Sequence, residues 1–264
     1  MEHAERTVKT PFGGALSCWS SEGGAGDEMV LICPGGGYHF LSPREGEPVL
    51  KVWKEKGYHG AILEYCLEKE VLGTSPVEEL AWALRWLRTD PEWKEKCRKL
   101  WVMGFSAGGH LAASLGALWN EKELFTEEER ALNRPDGLIL GYPVISMGKY
   151  GHERSRQRLT GGKEELIRMF SLEERDLSEN PPVFLWGTLT DEKVPVENSL
   201  MYLRKLREDG VSCEYHLFHQ GLHGMSLATE AVESEEENLH PDPHIAAWSK
   251  LCLEWMGEIS RKKE

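Results

Sequence analysis

The chain has 264 residues and a formal net charge of −13, a length that suits one α/β unit and a charge that opposes nucleic acid and anionic membranes, whose phosphates demand clustered Lys and Arg. No apolar run approaches the roughly 20 residues of a membrane span, and the charged start Met1-Glu2-His3-Ala4-Glu5-Arg6 lacks the apolar stretch of a signal peptide, so a soluble, cytoplasmic protein is expected. Cys18, Cys33, Cys66, Cys97, Cys213 and Cys252 show no Cys-x-x-Cys spacing and read as reduced thiols, Cys33 as a packing residue, with no metal or cofactor expected.

In chain order, Pro11-Phe12-Gly13-Gly14 predicts a turn between two short extended runs. The apolar run 29–33 predicts a buried strand that ends in Pro34-Gly35-Gly36-Gly37-Tyr38. Glycines there open main-chain N–H groups to a substrate carbonyl, which makes Gly36 and Gly37 candidates for half of an oxyanion hole. A plain flexible loop is the alternative. A phosphate loop is disfavoured, because no Gly-x-Gly-x-x-Gly spacing or following Lys-Ser or Lys-Thr is present. A helix is expected from near Pro48 to Gly57, burying Val49, Val52 and Trp53, then a strand over 60–65. Ser75-Pro76-Val77-Glu78 reads as N-cap, first helical proline and capping-box glutamate. The stripe Val77, Leu80, Leu84 and Leu87 of that helix should face the sheet.

The strand beginning at Lys99 runs into Gly104-Phe105-Ser106-Ala107-Gly108. Glycines two before and two after a serine permit a sharp strand-to-helix turn that projects its side chain, so Ser106 is the candidate nucleophile. The N–H of Ala107, at a helix N-terminus, is the other candidate oxyanion donor. The alternative is an ordinary glycine-rich turn. A strand over 137–143 follows; Tyr142 at its end and Tyr38 are candidate substrate contacts. Weak periodicity over 144–180 predicts a cap-like excursion within a single domain of 1–264, or else a surface crossover.

Asp191 lies just past the strand Pro182–Gly187 and is the candidate acid; Glu192 is its nearest rival, and capping of the helix near Pro195 is the structural alternative. Val196, Leu200 and Leu203 define that helix, which Gly210 closes. Past the strand 213–218, His223 sits between Gly221 and Gly224 and is the candidate base. His216 and His219 read as strand residues, and His3, His59 and His152 as surface or packing histidines. The acidic set Glu230, Glu233, Glu235, Glu236 and Glu237 reads as a solvated face. Trp248, Leu251, Cys252 and Trp255 define a terminal helix, and these tryptophans, like Trp82 and Trp86, read as packing residues.

The order Ser106, Asp191, His223 on alternating strand and helix signals predicts a mostly parallel sheet with helices on both faces. With Cys33-Pro34-Gly35-Gly36-Gly37-Tyr38, Arg44-Glu45-Gly46-Glu47-Pro48-Val49, Gly104-Phe105-Ser106-Ala107-Gly108-Gly109-His110, Asp191-Glu192-Lys193-Val194-Pro195 and His223-Gly224-Met225, the chain resembles the α/β-hydrolase superfamily, and within it small carbohydrate acetylesterase-like serine esterases. Pro34 replaces the histidine of the His-Gly-Gly-Gly found in many related lipases and esterases, which tells against the hormone-sensitive-lipase-like branch. The resemblance implies cofactor-free hydrolysis of a small-molecule ester such as an acetylated sugar. An amide hydrolase of the arylformamidase or small-peptidase kind uses the same residues, and a ligand-binding protein without turnover keeps the same fold.

Overall fold

Apolar side chains alternate along the central strands so that both faces of the sheet are covered. In the computed structural model, which describes residues 3–21 and 26–261, the elements are β1 (Arg6–Lys9), β2 (Ala15–Trp19), β3 (Glu28–Cys33), α1 (Glu47–Lys54), β4 (His59–Glu64), α2 (Ser75–Thr89), β5 (Lys99–Phe105), α3 (Ser106–Leu118), α4 (Glu127–Asn133), β6 (Gly137–Gly141), α5 (Glu153–Thr160), α6 (Glu164–Phe170), β7 (Val183–Thr188), α7 (Glu197–Glu208), β8 (Cys213–Phe218) and α8 (Pro243–Arg261). Met1 and Glu2 of the charged start lie outside the described residues. The strands form one eight-stranded sheet in the order β1-β2-β4-β3-β5-β6-β7-β8. β2 runs antiparallel to β1 and β4, and the remaining pairs are parallel, as the alternation predicts.

Met29, Leu31, Val102, Leu138 and Leu185 point to one face, where they meet α2, α3, α5, α6 and α7. Val30, Ile32, Met103, Ile139 and Phe184 point to the other, against α1 and α8. Trp248 of α8 stacks on Trp186 at 4.8 Å and touches Trp53 and Phe105. Burying about 200 Å² of such a ring stabilises by about 5 kcal/mol at ~25 cal/mol per Å². Trp82 and Trp86 stack on each other half-buried, with Arg6 over Trp86. The tryptophans named in the sequence reading are therefore packing residues.

Two local expectations change, the cap of α2 and the burial of Val52. Thr74, not Ser75, precedes α2, and neither side chain caps it; Ser75 Oγ accepts a hydrogen bond from Lys69 instead. Leu200 of α7 is 43 % exposed, while Asn198, Ser199, Tyr202 and Leu206 face inward. The buried stripe on that helix is part polar because Asn198 Oδ1 binds the backbone N–H groups of Ile145 and Ser146. Leu50 takes the buried place expected for Val52, which is half-buried, as is Leu251 of α8. The segment 144–180 is built of α5, α6 and a 3-10 turn at Leu172–Glu174.

Candidate active site

Cys33 pairs with Gly104, Phe105 with Gly141 and Gly141 with Trp186, so the carboxyl ends of β3, β5, β6 and β7 finish side by side. Loops leaving those ends converge on one edge, the usual ligand edge of an open parallel sheet.

Ser106 sits at that edge with φ +52, a left-handed conformation that costs a non-glycine residue about 1–3 kcal/mol. Close approach enforces the turn. A Cβ at Gly104 would strike the Gly108 carbonyl, and one at Gly108 would strike the carbonyls of Cys33 and Pro34. Ser106 is the first residue of α3 and is 6 % exposed.

Ser106 Oγ donates to His223 Nε2 at 2.8 Å, and His223 Nδ1 donates to Asp191 Oδ2 at 2.6 Å. The Asp191 side chain is 2 % exposed and that of His223 12 %. Asp191 Oδ1 accepts the N–H groups of Lys193 and Val194, each at 2.9 Å. The carboxylate thus organises its own turn with one oxygen and orients the imidazole with the other. Glu192 is exposed. Thr190 Oγ1 donates to Gly221 O at 3.1 Å and accepts Gly221 N–H at 3.0 Å, which ties the aspartate turn to the histidine loop.

Gly35, Gly36 and Gly37 lie beside this chain, since a Cβ at Gly35 would stand 3.1 Å from Ser106 Cβ. Gly36 and Gly37 have φ of +127 and +63, and a Cβ at Gly36 would collide with the Phe40 carbonyl. The Gly35 N–H is held by Glu45 Oε2 at 2.8 Å. Gly36, Gly37 and Ala107 donate no backbone hydrogen bond to a loop or side-chain acceptor among the described residues.

Neither tyrosine expected to touch substrate presents its phenol to the site. Tyr38 is 1 % exposed, and its O–H donates inward to His110 Nδ1 at 2.9 Å, while His110 Nε2 donates to Phe170 O at 2.9 Å. Burial pushes the His110 imidazole down to about 4. Tyr142 packs edge-on beneath His223 with ring centres 5.0 Å apart. Its O–H donates to Glu45 Oε1 at 2.7 Å and accepts Ser226 N–H at 2.9 Å. Both phenols are held inward by buried partners, His110 for Tyr38 and Glu45 for Tyr142.

Three contributors were given no role from sequence, although Arg44 and Glu45 lie in the Arg44–Val49 segment that carries the resemblance. Glu45 is buried on a 3-10 turn and joins the glycine loop to Tyr142; burial raises its pKa against the hydrogen bonds from Tyr142 and Gly35. Arg44 donates to Val232 O at 2.7 Å and to Gly224 O at 2.8 Å, bracing the loop that carries His223. Adjacent unlike charges directly after a glycine loop are the signal that marks this pair. His152, assigned from sequence to the surface or packing histidines, lies at the site: its Cε1 would stand 3.4 Å from a Cβ on Gly37. Burial, followed by the charges of His223 and Arg154, lowers its pKa. Exposed apolar side chains border the same edge, Phe40 beside Gly36 and Leu189 and Leu222 beside Asp191 and His223.

A family model described as BD-FAE matches residues 21–206. Endo-1,4-beta-xylanase B of Butyrivibrio fibrisolvens is 34 % identical over 210 residues, which are 77 % of this chain and 33 % of the xylanase. Acetylxylan esterase of Xylanibacter ruminicola is 29 % identical over 223 residues, 81 % of this chain and 44 % of that protein. The chain therefore spans less than half the length of either relative. Among solved structures, the acetyl ester-xyloside bifunctional hydrolase of Caldicellulosiruptor lactoaceticus superposes with a TM-score of 0.81 at 32 % identity, covering 95 % of this chain and 89 % of the other.

Proposed function

The chain belongs to the BD-FAE family and has the α/β-hydrolase fold, and from that premise we propose that it is a serine carboxylesterase acting on short-chain acyl esters, in particular acetyl esters of xylose-based saccharides. The observation that carries the proposal is the unbroken chain of hydrogen bonds from Ser106 through His223 to Asp191. In this reading His223 Nε2 takes the Ser106 proton as Oγ attacks the ester carbonyl, and Asp191 holds the tautomer and stabilises the imidazolium. The amides of Ala107, Gly36 and Gly37 receive the oxyanion, each donor lowering the barrier by about 3–4 kcal/mol. His223 then protonates the leaving sugar oxygen as the carbon–oxygen ester bond breaks. Water, deprotonated by the same histidine, hydrolyses the acyl-enzyme and releases the acid. The substrate class rests on the xylan-linked names of the relatives, and the excursion over 144–180, with His152 at its inner edge, shapes substrate choice.

The test is turnover of acetyl, butyryl and octanoyl nitrophenyl esters and of acetylated xylo-oligosaccharides, with wild type and Ser106→Ala side by side. Acetyl esters are expected to lead the panel, with a loss of about 10⁶ in kcat for the variant and no labelling of it by a fluorophosphonate. Retained turnover in Ser106→Ala would refute the nucleophile, and a preference for octanoyl would refute the acyl class.

A further inference from the structure

A cavity of about 510 Å³ opens between α5, the loop after β3 and the segment after β4, lined among others by His39, Glu70, Arg154, Gln157 and Arg158. This is within the range of about 300–1,000 Å³ typical of small-ligand sites. It begins at the glycine loop itself, because His39 donates its backbone N–H to Gly36 O at 3.0 Å. His152 does not line the cavity but stands between it and the candidate active site. Its Nδ1 is fixed by Ser155 Oγ at 2.8 Å, its ring stands against Gly37, and it is next in sequence to Glu153 and Arg154 at the cavity. The same imidazole feels the charges of His223 and Asp191 and of Arg154 and His39.

The walls are built in advance. The Arg158 guanidinium donates to Tyr38 O at 3.2 Å and to the carbonyls of Leu67, Lys69 and Glu70, each at 2.6 Å. It clamps residues 67–70 to the glycine loop, so little ordering is left for a ligand to impose. Arg154 is different: Glu153 pairs with Arg156 at 3.6 Å and receives the Gln157 amide N–H at 2.8 Å. The Arg154 guanidinium and the Gln157 amide oxygen have no hydrogen-bond partner among the described residues. Cationic donors alternate there with the Glu70 and Glu153 carboxylates and an amide oxygen, beside the His39 ring and Val71. Such a mixed lining fits a saccharide, whose hydroxyls both donate and accept and whose C–H faces are apolar.

We propose that this cavity is the leaving-group subsite, holding the neighbouring sugar units of an acetylated oligosaccharide through hydroxyl contacts to Arg154 and Gln157; the inference rests on the esterase reading above. Direction follows from the proton route. The departing sugar oxygen must meet His223 Nε2, so the rest of the saccharide leaves on the side of His223, past His152, which adjoins the lining residues Glu153 and Arg154.

The experiment compares kcat/KM for p-nitrophenyl acetate, acetylated xylose and acetylated xylotetraose in wild type, Arg154→Ala, Gln157→Ala and the double variant. Both side chains are exposed, so folding is not at stake. Wild type is expected to prefer the tetraose to the monosaccharide by about tenfold or more, and the double variant to lose about tenfold on the tetraose relative to p-nitrophenyl acetate, the effect of one or two charge-assisted hydrogen bonds. Equal wild-type values on monosaccharide and tetraose, or a parallel loss on all three substrates, would overturn the subsite while leaving the esterase standing. Absence of wild-type turnover on p-nitrophenyl acetate would overturn both.

Discussion

Ser106 is held by its immediate neighbours, Gly104 and Gly108 permitting the turn and α3 following at once, whereas His223 stands on a loop braced by Arg44, Tyr142 and Trp248 from three distant parts of the chain. Arg44 holds Gly224 O, Tyr142 holds Ser226 N–H and Trp248 Nε1 donates to Ser226 O at 2.9 Å. A local constraint places an atom whenever the strand and helix form. A loop of positive-φ residues such as Ser226 and Ala228 has no ladder of its own and takes its position from the finished core. The proposed nucleophile is therefore the rigid partner and the proposed base the supported one.

Changes to each side should separate the two. Asp191→Asn preserves the Oδ1 acceptor of the turn but offers an N–H where the imidazole needs an acceptor; kcat on p-nitrophenyl acetate is expected to fall about 10⁴-fold with the melting temperature little changed. A melting temperature that collapses instead would show that the aspartate turn is structural first. On the elbow side, Gly108→Ala drives a methyl into the Cys33 and Pro34 carbonyls and is expected to destabilise by about 3 kcal/mol or more, read by thermal unfolding. Unchanged stability would mean that the elbow yields.

His110 anchors α3 behind the elbow and titrates at about 4 in the fold against 6.5 for the free side chain. Between those values the unfolded chain binds more protons. The stability fully present above about pH 6.5 is thus lost as pH falls towards 4, by about 3 kcal/mol in all. Urea midpoints at pH 7 and pH 4.5 should differ less in His110→Gln than in wild type; equal differences would remove His110 as the acid-sensitive group. The smallest effect is expected from Tyr142→Phe, which leaves Glu45 Oε1 and Ser226 N–H without their partner. A loss of about 1–3 kcal/mol is expected, seen as a fall in kcat of about tenfold with KM held. An unchanged kcat would show that the histidine loop does not depend on its tyrosine support.

The strands and the glycine spacing around Ser106 were legible because period-two burial and a five-residue turn are short-range patterns. So were the loops carrying Asp191 and His223, since each directly follows an apolar strand. Tyr38 and Tyr142 were misread because proximity in sequence to a site says nothing of side-chain direction, and both phenols find buried partners behind it, His110 and Glu45. Leu200 marked the helix α7 correctly without being buried in it, because periodicity counts apolar residues, while α7 buries Asn198 to satisfy the N–H groups of Ile145 and Ser146. His152 carries no local pattern, and the motif that holds Glu45 does not say which groups its carboxyl will join.

Sequence alone determined the alternation of elements and the glycine spacing of the serine turn, because each is written within a few residues, and it offered Ser106, Asp191 and His223 as candidates in that order. Only the tertiary structure decided which polar groups stand behind them, from Glu45 joining the glycine loop to Tyr142, to Arg44 bracing the histidine loop and His152 standing against Gly37. Those contacts join residues far apart in the chain, and their geometry exists only once the sheet has brought its strand ends to one edge.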